Sequence, residues 1–420
     1  MKGFWEIAKL EARRLVRSKA AIMLAAAAVM WIVAFPHVAL GDGTAEGARE
    51  LYLHYGLGGV FALVILALAA SGAGSLARER DAKRLPLTVV RPVTGFTIAL
   101  ARTFTFTAFG AAILALTAGI ALAHVGASRS SWSVRGPVME SPRAEAEKAY
   151  AMYMASESTP EEVKKAPKDV VLRLLTEKAR DNYETIATNH TAKWKFRPVP
   201  VGSVVAARLK FTNAFDARDI VVGDLAFDAY AGSISNVTRS AAVVPLSPVA
   251  ERTVNDENDL RELTFLNKGK GTLMLRPRQD VELLVEADSF KWNLLRAWLE
   301  LVSILGAATA FAVFLSAALG RGVAVFTLVG TLLVAFVSSD VIERYPDQLE
   351  TEKVDRIGLM ITRTAETVTR PVAALSPLGA LSADERIEPE ETARAIAVDG
   401  FIFPLVFALL SGLVISRKIN

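Results

Sequence analysis

The sequence predicts a mainly α-helical membrane protein with six transmembrane helices, an N-terminal interfacial elbow helix and an extracytoplasmic α+β domain. Two observations support this fold class. Hydrophobic residues make up 52% of the 420 residues although 22% are charged, a mixture that suggests apolar and polar segments joined in one chain. The apolar residues also concentrate in six runs without charged side chains, each close to the roughly 20 residues that cross a hydrocarbon core.

Residues 1–19, before the first run, form the predicted elbow helix. Helical spacing puts Phe4 and Trp5 on an apolar face and Arg13, Arg14 and Arg17 on the opposite face. A basic amphipathic helix is typical of segments that lie along the headgroups of anionic lipids. We therefore assign these five residues to the membrane interface.

Six charge-free runs provide the transmembrane helices, and they are Ala20–Gly41, Leu51–Ala77, Thr103–Ser128, Leu301–Gly320, Gly322–Ser339 and Gly400–Ser416. Residues 20–128 thus hold the first three helices, residues 291–339 the fourth and fifth, and residues 400–420 the sixth with a cytoplasmic tail. Trp292 and Trp298, near the start of the fourth run, are assigned to the membrane interface, where tryptophan is enriched. For the last two runs, which are the shortest, a buried core helix is the alternative.

The distribution of basic residues predicts the orientation. Lys and Arg cluster before the first run and in residues 77–102, between the second and third runs. Because short cytoplasmic loops are enriched in Lys and Arg, both segments should face the cytoplasm. Six crossings put Arg321 and Arg417 on the same side and residues 129–290 and 340–399 outside. We therefore expect an integral protein of the bacterial cytoplasmic membrane with a large extracytoplasmic domain.

The larger external segment, residues 129–290, has two predicted parts. Residues 141–190 are helical in pattern, with a capping box that begins at Thr159 and a second helix that begins near Pro167. Residues 193–290 are β-rich, because apolar residues alternate between Gly, Asn, Asp and Pro. The simplest arrangement is an antiparallel β-sandwich, with its clearest hairpin turn at Asn267–Gly271.

The second external segment, residues 340–399, contains one periodic stretch. Between Val354 and Val372 the apolar residues recur at three and four residues, which predicts an amphipathic helix. We expect this helix to pack on the external domain or to lie at the membrane surface.

Residue types needed for common chemistry are missing from the sequence. Cysteine is absent, which excludes disulfides and thiolate metal sites, and the four histidines are too scattered for metal-ligand spacing. No Ser-His-Asp, Gly-x-Ser-x-Gly or His-Glu-x-x-His pattern occurs, and no basic patch is interleaved with aromatic residues. We therefore expect no catalytic, cofactor-binding or metal-binding residue in this chain, and no nucleic-acid partner. The runs also lack the deep ionisable residues of an ion-coupled transporter, since Arg102 and Glu300 lie only at the ends of runs.

Three stretches resemble the permease subunits of ABC-2 type ATP-driven transporters. They are FWEIAKLEARRLVRSKAA, ARERDAKRLPLTVVRPVTGFTIALAR and SFKWNLLRAWLELVSILGAATAFAVFLSAALGRGVAVF. The resemblance implies an exporter whose energy comes from a separate ATPase subunit that holds ATP and Mg, because this chain has no Walker A sequence. It also implies a second permease copy or a sister permease, so that the unit has two membrane halves.

The same resemblance makes residues 77–102 a coupling element, a short cytoplasmic helix that contacts the ATPase. The contact is expected at Glu79, Asp81, Lys83, Arg84, Arg91 and Pro92. Charges and a rigid proline suit an exposed element that forms ion pairs with a soluble partner and transmits rigid-body motion. The alternative is that these charges only fix topology and bind anionic lipid.

The chain departs from many such permeases because it inserts residues 129–290 after the third helix. The insertion receives cargo, binds an extracytoplasmic protein or ligand, or shields the outer gate, and the substrate does not follow from the resemblance. The alternative function is a membrane-anchored extracytoplasmic binding or envelope-scaffold protein without transport activity. An intramembrane enzyme is a third alternative, for which the sequence offers no catalytic set.

Overall fold

The computed structural model describes residues 2–38, 45–81, 94–126, 129–156, 166–200, 203–213, 220–237, 242–249, 260–331 and 376–419. The chain divides into two compact units. The first, which we call the helical unit, comprises Met1–Ser131 and Asp288–Asn420. The second, the β-rich unit, is Trp132–Ala287, close to the bounds expected for the external domain.

Fourteen helices are numbered along the described part of the chain. They are α1 (Lys2–Val16), α2 (Lys19–Val38), α3 (Ala45–Leu51), α4 (Gly58–Ala73), α5 (Ser75–Asp81), α6 (Gly95–Val125), α7 (Pro142–Ala155), α8 (Lys168–Arg180), α9 (Pro277–Asp280), α10 (Phe290–Ala318), α11 (Arg321–Thr331), α12 (Ser376–Ser382), α13 (Pro389–Ala395) and α14 (Phe403–Ile419). Two π-helical turns, Tyr52–Leu57 and Ile396–Ile402, join α3 to α4 and α13 to α14. Helices α7, α8 and α9 belong to the β-rich unit, and the others to the helical unit.

Within the described residues, five continuous helices are long and apolar enough to cross a membrane. They are Lys19–Val38, Gly47–Glu79, Gly95–Val125, Phe290–Ala318 and Pro389–Arg417. An integral membrane protein is therefore consistent with the structure. The apolar helix α11 covers the beginning of the run predicted as the fifth crossing. The rest of that run, residues 332–339, lies outside the described part of the chain. The fifth predicted crossing therefore stays a prediction, whereas the sixth predicted run lies within the helix Pro389–Arg417.

Helix α10 lies at the centre of the helical unit. It packs against α4, α6 and α14. In its most apolar 18-residue segment 78% of the residues are buried, whereas in the corresponding segment of α2 only 22% are buried. Large side chains from three helices fill the centre, for example Phe61 on α4, Ile98 on α6 and Leu305 on α10. In lipid, helices associate through close packing and not through the hydrophobic effect. The high burial of α10 therefore makes it the central packing partner of α4, α6 and α14.

One glycine of α6 makes this close packing testable. A Cβ at Gly110 would lie 2.7 Å from Leu68 Cδ1 and would also overlap Leu305, whereas a Cβ at Gly119 on the same helix would meet nothing within 4 Å. We expect Gly110→Ala to destabilise the helical unit by about 1–3 kcal/mol through overpacking. Gly119→Ala, the matched control, should be neutral or stabilise by up to about 1 kcal/mol because alanine favours helix. Unfolding of both variants in detergent measures the difference, and equal stabilities would contradict the packing described here.

Eleven strands form the framework of the β-rich unit. They are β1 (Ser130–Arg135), β2 (Glu184–Ile186), β3 (Thr191–Phe196), β4 (Val205–Leu209), β5 (Thr212–Asn213), β6 (Ile220–Phe227), β7 (Tyr230–Val237), β8 (Ala242–Pro248), β9 (Arg261–Asn267), β10 (Leu273–Leu275) and β11 (Val281–Ser289). Eight of them make one sheet in the order β1-β11-β4-β8-β7-β6-β9-β3, and the other three make a sheet in the order β2-β10-β5. The pairings from β11 to β3 are all antiparallel.

A half-barrel takes the place of the predicted sandwich of two packed sheets. Alternation is clear on β3, where Trp194 and Phe196 are buried and Lys193 and Lys195 are exposed. Residues of the large sheet and of the small sheet share one apolar cluster, for example Phe265 on β9 with Leu275 on β10. The prediction of a β-rich segment is confirmed. The sandwich is not confirmed, because alternation marks which face of a strand is buried and does not fix how sheets curve or pair.

The predicted hairpin at Asn267–Gly271 is also wrong. Strands β9 and β10 flank this turn but do not pair, because β9 pairs with β3 and β6 while β10 pairs with β2 and β5. The turn therefore carries the chain from the large sheet to the small one. A tight hairpin instead joins β6 to β7 at Asp228, whose φ of 52° lies in the left-handed region that Asp tolerates better than most residues.

The segment predicted as helical, residues 141–190, holds α7 and α8, and α8 begins directly after Pro167 as expected. Strand β2 ends this segment and was not anticipated. The capping box at Thr159 and the amphipathic stretch between Val354 and Val372 lie outside the described residues.

Candidate functional site

Short basic segments of the helical unit meet at one end, which we call the basic end. The backbone N–H groups of Leu76 and Ala77 on α5 each donate to Ser316 Oγ of α10 at 3.0 Å. Gly95, the first residue of α6, lies against Ile415 of α14. The first turn of α5 and the last turn of α10 are therefore neighbours, and the start of α6 lies beside the end of α14. The positive-inside rule predicts that these segments lie on one side of a membrane.

Four charged residues form a compact cluster at this end, which we call the charge cluster: Glu11 and Arg14 of α1, Glu79 of α5 and Arg102 of α6. Arg102 Nη2 lies 2.5 Å from Glu79 Oε2 and 3.2 Å from Glu11 Oε1. Arg14 Nη1 lies 2.9 Å from Glu79 Oε1 and 3.2 Å from Glu11 Oε1. Two cations and two carboxylates alternate, so each carboxylate is paired with both guanidinium groups.

Burial differs sharply within the charge cluster. Arg102 is only 2% exposed and lies well inside α6, while the side chain of Arg14 is 53% exposed. A buried charge is costly unless it is paired and hydrogen-bonded, so Arg102 depends on Glu11 and Glu79. Two further donors of Arg102, Nε and Nη1, are buried and have no partner among the described residues.

Local sequence explains how Arg102 reaches this position. The hydroxyl of Thr94 accepts a hydrogen bond from the Thr97 N–H at 3.3 Å and caps the N-terminus of α6. Arg102 follows two turns later, on the face of α6 that packs against α1. On α1, the hydrogen bond to Glu79 raises the pKa of Arg14 above its ordinary value, so Arg14 stays charged beside the two carboxylates.

Aromatic contacts add to the attachment of α1. The rings of Phe4 and Trp5 lie 5.7 and 5.9 Å from the ring of Phe104 on α6. Ala8 and Glu11 are buried, whereas Trp5 is 52% exposed. The helix α1 ends at Val16 and α2 begins at Lys19, so the predicted helix is present, and its position along a membrane surface stays a proposal.

Other residues assigned to the membrane interface have different environments. Arg13 on α1 and Arg17, directly after α1, are exposed. Trp292 is 60% exposed, whereas Trp298 points inward and its Nε1 donates to Ala111 O at 3.2 Å. Trp298 therefore has an intramolecular hydrogen bond that the assignment did not foresee.

Of the predicted ATPase contacts, the structure places only one side chain. Glu79 is paired within the chain, and its side chain is 16% exposed. Asp81 ends α5, and Lys83, Arg84, Arg91 and Pro92 lie outside the described residues. Helix α5 continues to Asp81 and α6 begins at Gly95, so both helices extend into the segment predicted as residues 77–102.

At its other end, the helical unit has a second polar group of contacts. Asn293 of α10 is fully buried; it donates to Glu385 O at 2.6 Å and accepts from the Ile387 N–H at 2.7 Å. Farther along α10, Glu300 Oε1 accepts a hydrogen bond at 2.8 Å from Thr392 Oγ1, which lies on α13. Glu300 is thus buried inside α10, and Arg102 inside α6, although both were expected at the ends of apolar runs.

Sequence reasoning missed the roles of Glu11 and Arg102. The available signal was weak: two acids, Glu6 and Glu11, in a basic helix, and one cation next to an apolar run. Neither pattern names its partner, because these residues are far apart in the chain.

No group of three or more His, Asp or Glu side chains in the described ranges could hold a metal ion. Neither protein-family models, nor curated proteins, nor solved structures match this chain.

Proposed function

We propose that this chain is the permease subunit of an ATP-driven ABC-2 type exporter and that it couples to a separate ATPase at the basic end. The observation that carries the proposal is the convergence of α1, α5 and α6 on the charge cluster. Helix α5 leads into the predicted cytoplasmic segment and forms ion pairs with α1 and α6. A helix connected in this way can transmit rigid-body motion. The proposal also draws on the resemblance of the three quoted membrane stretches to such permeases.

Further parts of the proposal follow from the same resemblance. The ATPase supplies ATP and Mg, and a second permease copy or a sister permease completes the membrane pathway. Lipid headgroups contact α1 through Arg13 and Arg17, and the β-rich unit lies outside the cell, where it meets an external protein or ligand. In the second candidate function, a membrane-anchored binding or scaffold protein, the half-barrel core of that unit is the functional part.

The orientation is testable by single-cysteine labelling, because the chain has no cysteine of its own. We expect Arg84→Cys to resist a membrane-impermeant maleimide in intact cells and to react after permeabilisation. Met152→Cys, 72% exposed on α7, should react in intact cells and serves as the matched external control. Labelling of Arg84→Cys in intact cells would overturn the proposed topology.

The partner is testable by purifying the full chain from its native membranes. We expect an ATPase with Walker A and signature motifs to co-purify, and we expect Arg91→Glu to weaken its binding by at least about tenfold, because a rim charge is reversed. Arg417→Glu, exposed at the same end on α14, is the control and should leave binding unchanged. If no ATPase co-purifies with the unaltered chain, and the β-rich unit instead retains an external ligand, the scaffold function is favoured.

A further inference from the structure

The short helix α5 follows α4 after a one-residue interruption at Gly74, within the continuous apolar helix Gly47–Glu79. Helix α4 ends at Ala73, Gly74 forms a turn, and α5 begins at Ser75. The first N–H groups of a helix have no partners within it, and here Ser316 Oγ of α10 accepts two of them, from Leu76 and Ala77. The beginning of α5 is therefore held by a neighbouring helix.

The far end of α5 is held by charge. The two carboxylate oxygens of Glu79 accept hydrogen bonds from Arg14 of α1 and from Arg102 of α6. Glu11 of α1 contacts the same two arginines. Three helices thus meet on two carboxylates.

We propose that Glu79 and Glu11 are positioning residues, which lock α1, α5 and α6 into one body at the basic end. Glu79 then acts inside the permease and is not itself a contact for the ATPase. Displacement of α5 is passed to α1 and α6 through the two carboxylates, and Gly74 is the point at which α5 departs from α4. The first part of this inference stands on the geometry alone, whereas the use of the lock in coupling rests on the proposed function.

The lock is tested by removing the two charges while keeping side-chain shape, as Glu11→Gln with Glu79→Gln. Arg14 and Arg102 then face each other without carboxylates, and like charges at short range repel. Spin labels at Arg13→Cys on α1 and Ala108→Cys on α6, both exposed positions, report the distance between the two helices in the full chain in liposomes. We expect a narrow distance distribution with both glutamates present and a distribution at least about twofold wider in the Gln pair, because α1 is released locally.

Two further variants separate positioning from general stability. Glu11→Asp with Glu79→Asp keeps the charges and should give a narrower distribution than the Gln pair. Glu262→Gln removes an exposed pair with Lys193 on the β-rich unit and should leave the α1–α6 distance unchanged. If the Gln pair does not fold, the single Glu79→Gln variant is measured in its place. A folded Gln variant with an unchanged distribution would overturn the lock, and so would an Asp pair as broad as the Gln pair.

A second arm tests coupling separately. With the co-purified ATPase, we expect the folded Gln variant to keep the ATPase bound while stimulation of ATP turnover by the permease falls at least about tenfold, since only the permease side is altered. If the unaltered chain binds no ATPase, the proposed function fails, while the distance measurement still decides whether the lock exists. Retained stimulation in a variant whose distribution has widened would overturn the coupling role of the lock.

Discussion

Replacement of Arg102 by methionine should destabilise the helical unit by about 3–5 kcal/mol, because Glu11 and Glu79 lose the one buried cation that they share and keep only the exposed Arg14. Arg102 is 2% exposed, and its Nη2 serves both Glu79 and Glu11. Methionine fills a similar volume with a flexible apolar chain. The loss of stability therefore measures the missing charge more than the formation of a cavity. Unfolding of the full chain in mixed detergent micelles measures the effect.

Arg14→Met is the matched control for this prediction. It removes a guanidinium from the same two carboxylates, at 2.9 and 3.2 Å, but from a side chain that is 53% exposed. Exposed ion pairs contribute about 0–1 kcal/mol, so we expect at most that loss. Adding Glu79→Gln to Arg102→Met should recover part of the stability, because one stranded carboxylate is neutralised. Equal losses at Arg14 and Arg102 would contradict the burial described here.

Replacement of Asn267 by alanine should destabilise the β-rich unit by about 3 kcal/mol or more. Its Nδ2 donates to Ile186 O at 3.0 Å and to Gly271 O at 2.9 Å, and its Oδ1 accepts from the Gly269 N–H at 2.9 Å. The residue is fully buried. Each buried group left without a partner costs about 1–3 kcal/mol, and the alanine would leave several such groups.

Hydrogen exchange of the full chain localises this effect. Protection should fall first in β2 and β10, because Asn267 connects the end of β9 to the small sheet that those strands form. Asn182→Ala, at an exposed position beside β2, removes the same amide and should change stability by no more than about 0.5 kcal/mol. Loss of protection spread evenly over the unit in Asn267→Ala would argue against this local role.

Features with a local physical signal were predictable from the sequence. Charge-free runs marked the apolar helices because a spanning segment must exclude ionised side chains along its length. The alternation around Trp194 and Phe196 marked a half-buried strand. Pro167 marked the start of α8, since proline fits the first turn of a helix.

Pairings between distant segments were not predictable in the same way. Nothing near Arg102 in the sequence indicates Glu11, because the contact exists only after α1 packs on α6. The Asn267–Gly271 turn has the composition of a hairpin, yet its direction is set by the sheets that receive β9 and β10. Composition describes a turn, whereas strand order depends on the packing of the whole unit.

The order of the charge cluster along the chain bears on how the protein is made. Glu11 and Glu79 both precede Arg102 in sequence, so during synthesis from the N-terminus both counter-ions exist before the helix that needs them leaves the ribosome. An arginine entering a bilayer alone is costly. A nascent chain that already carries its two acids has a counter-ion at hand for that arginine.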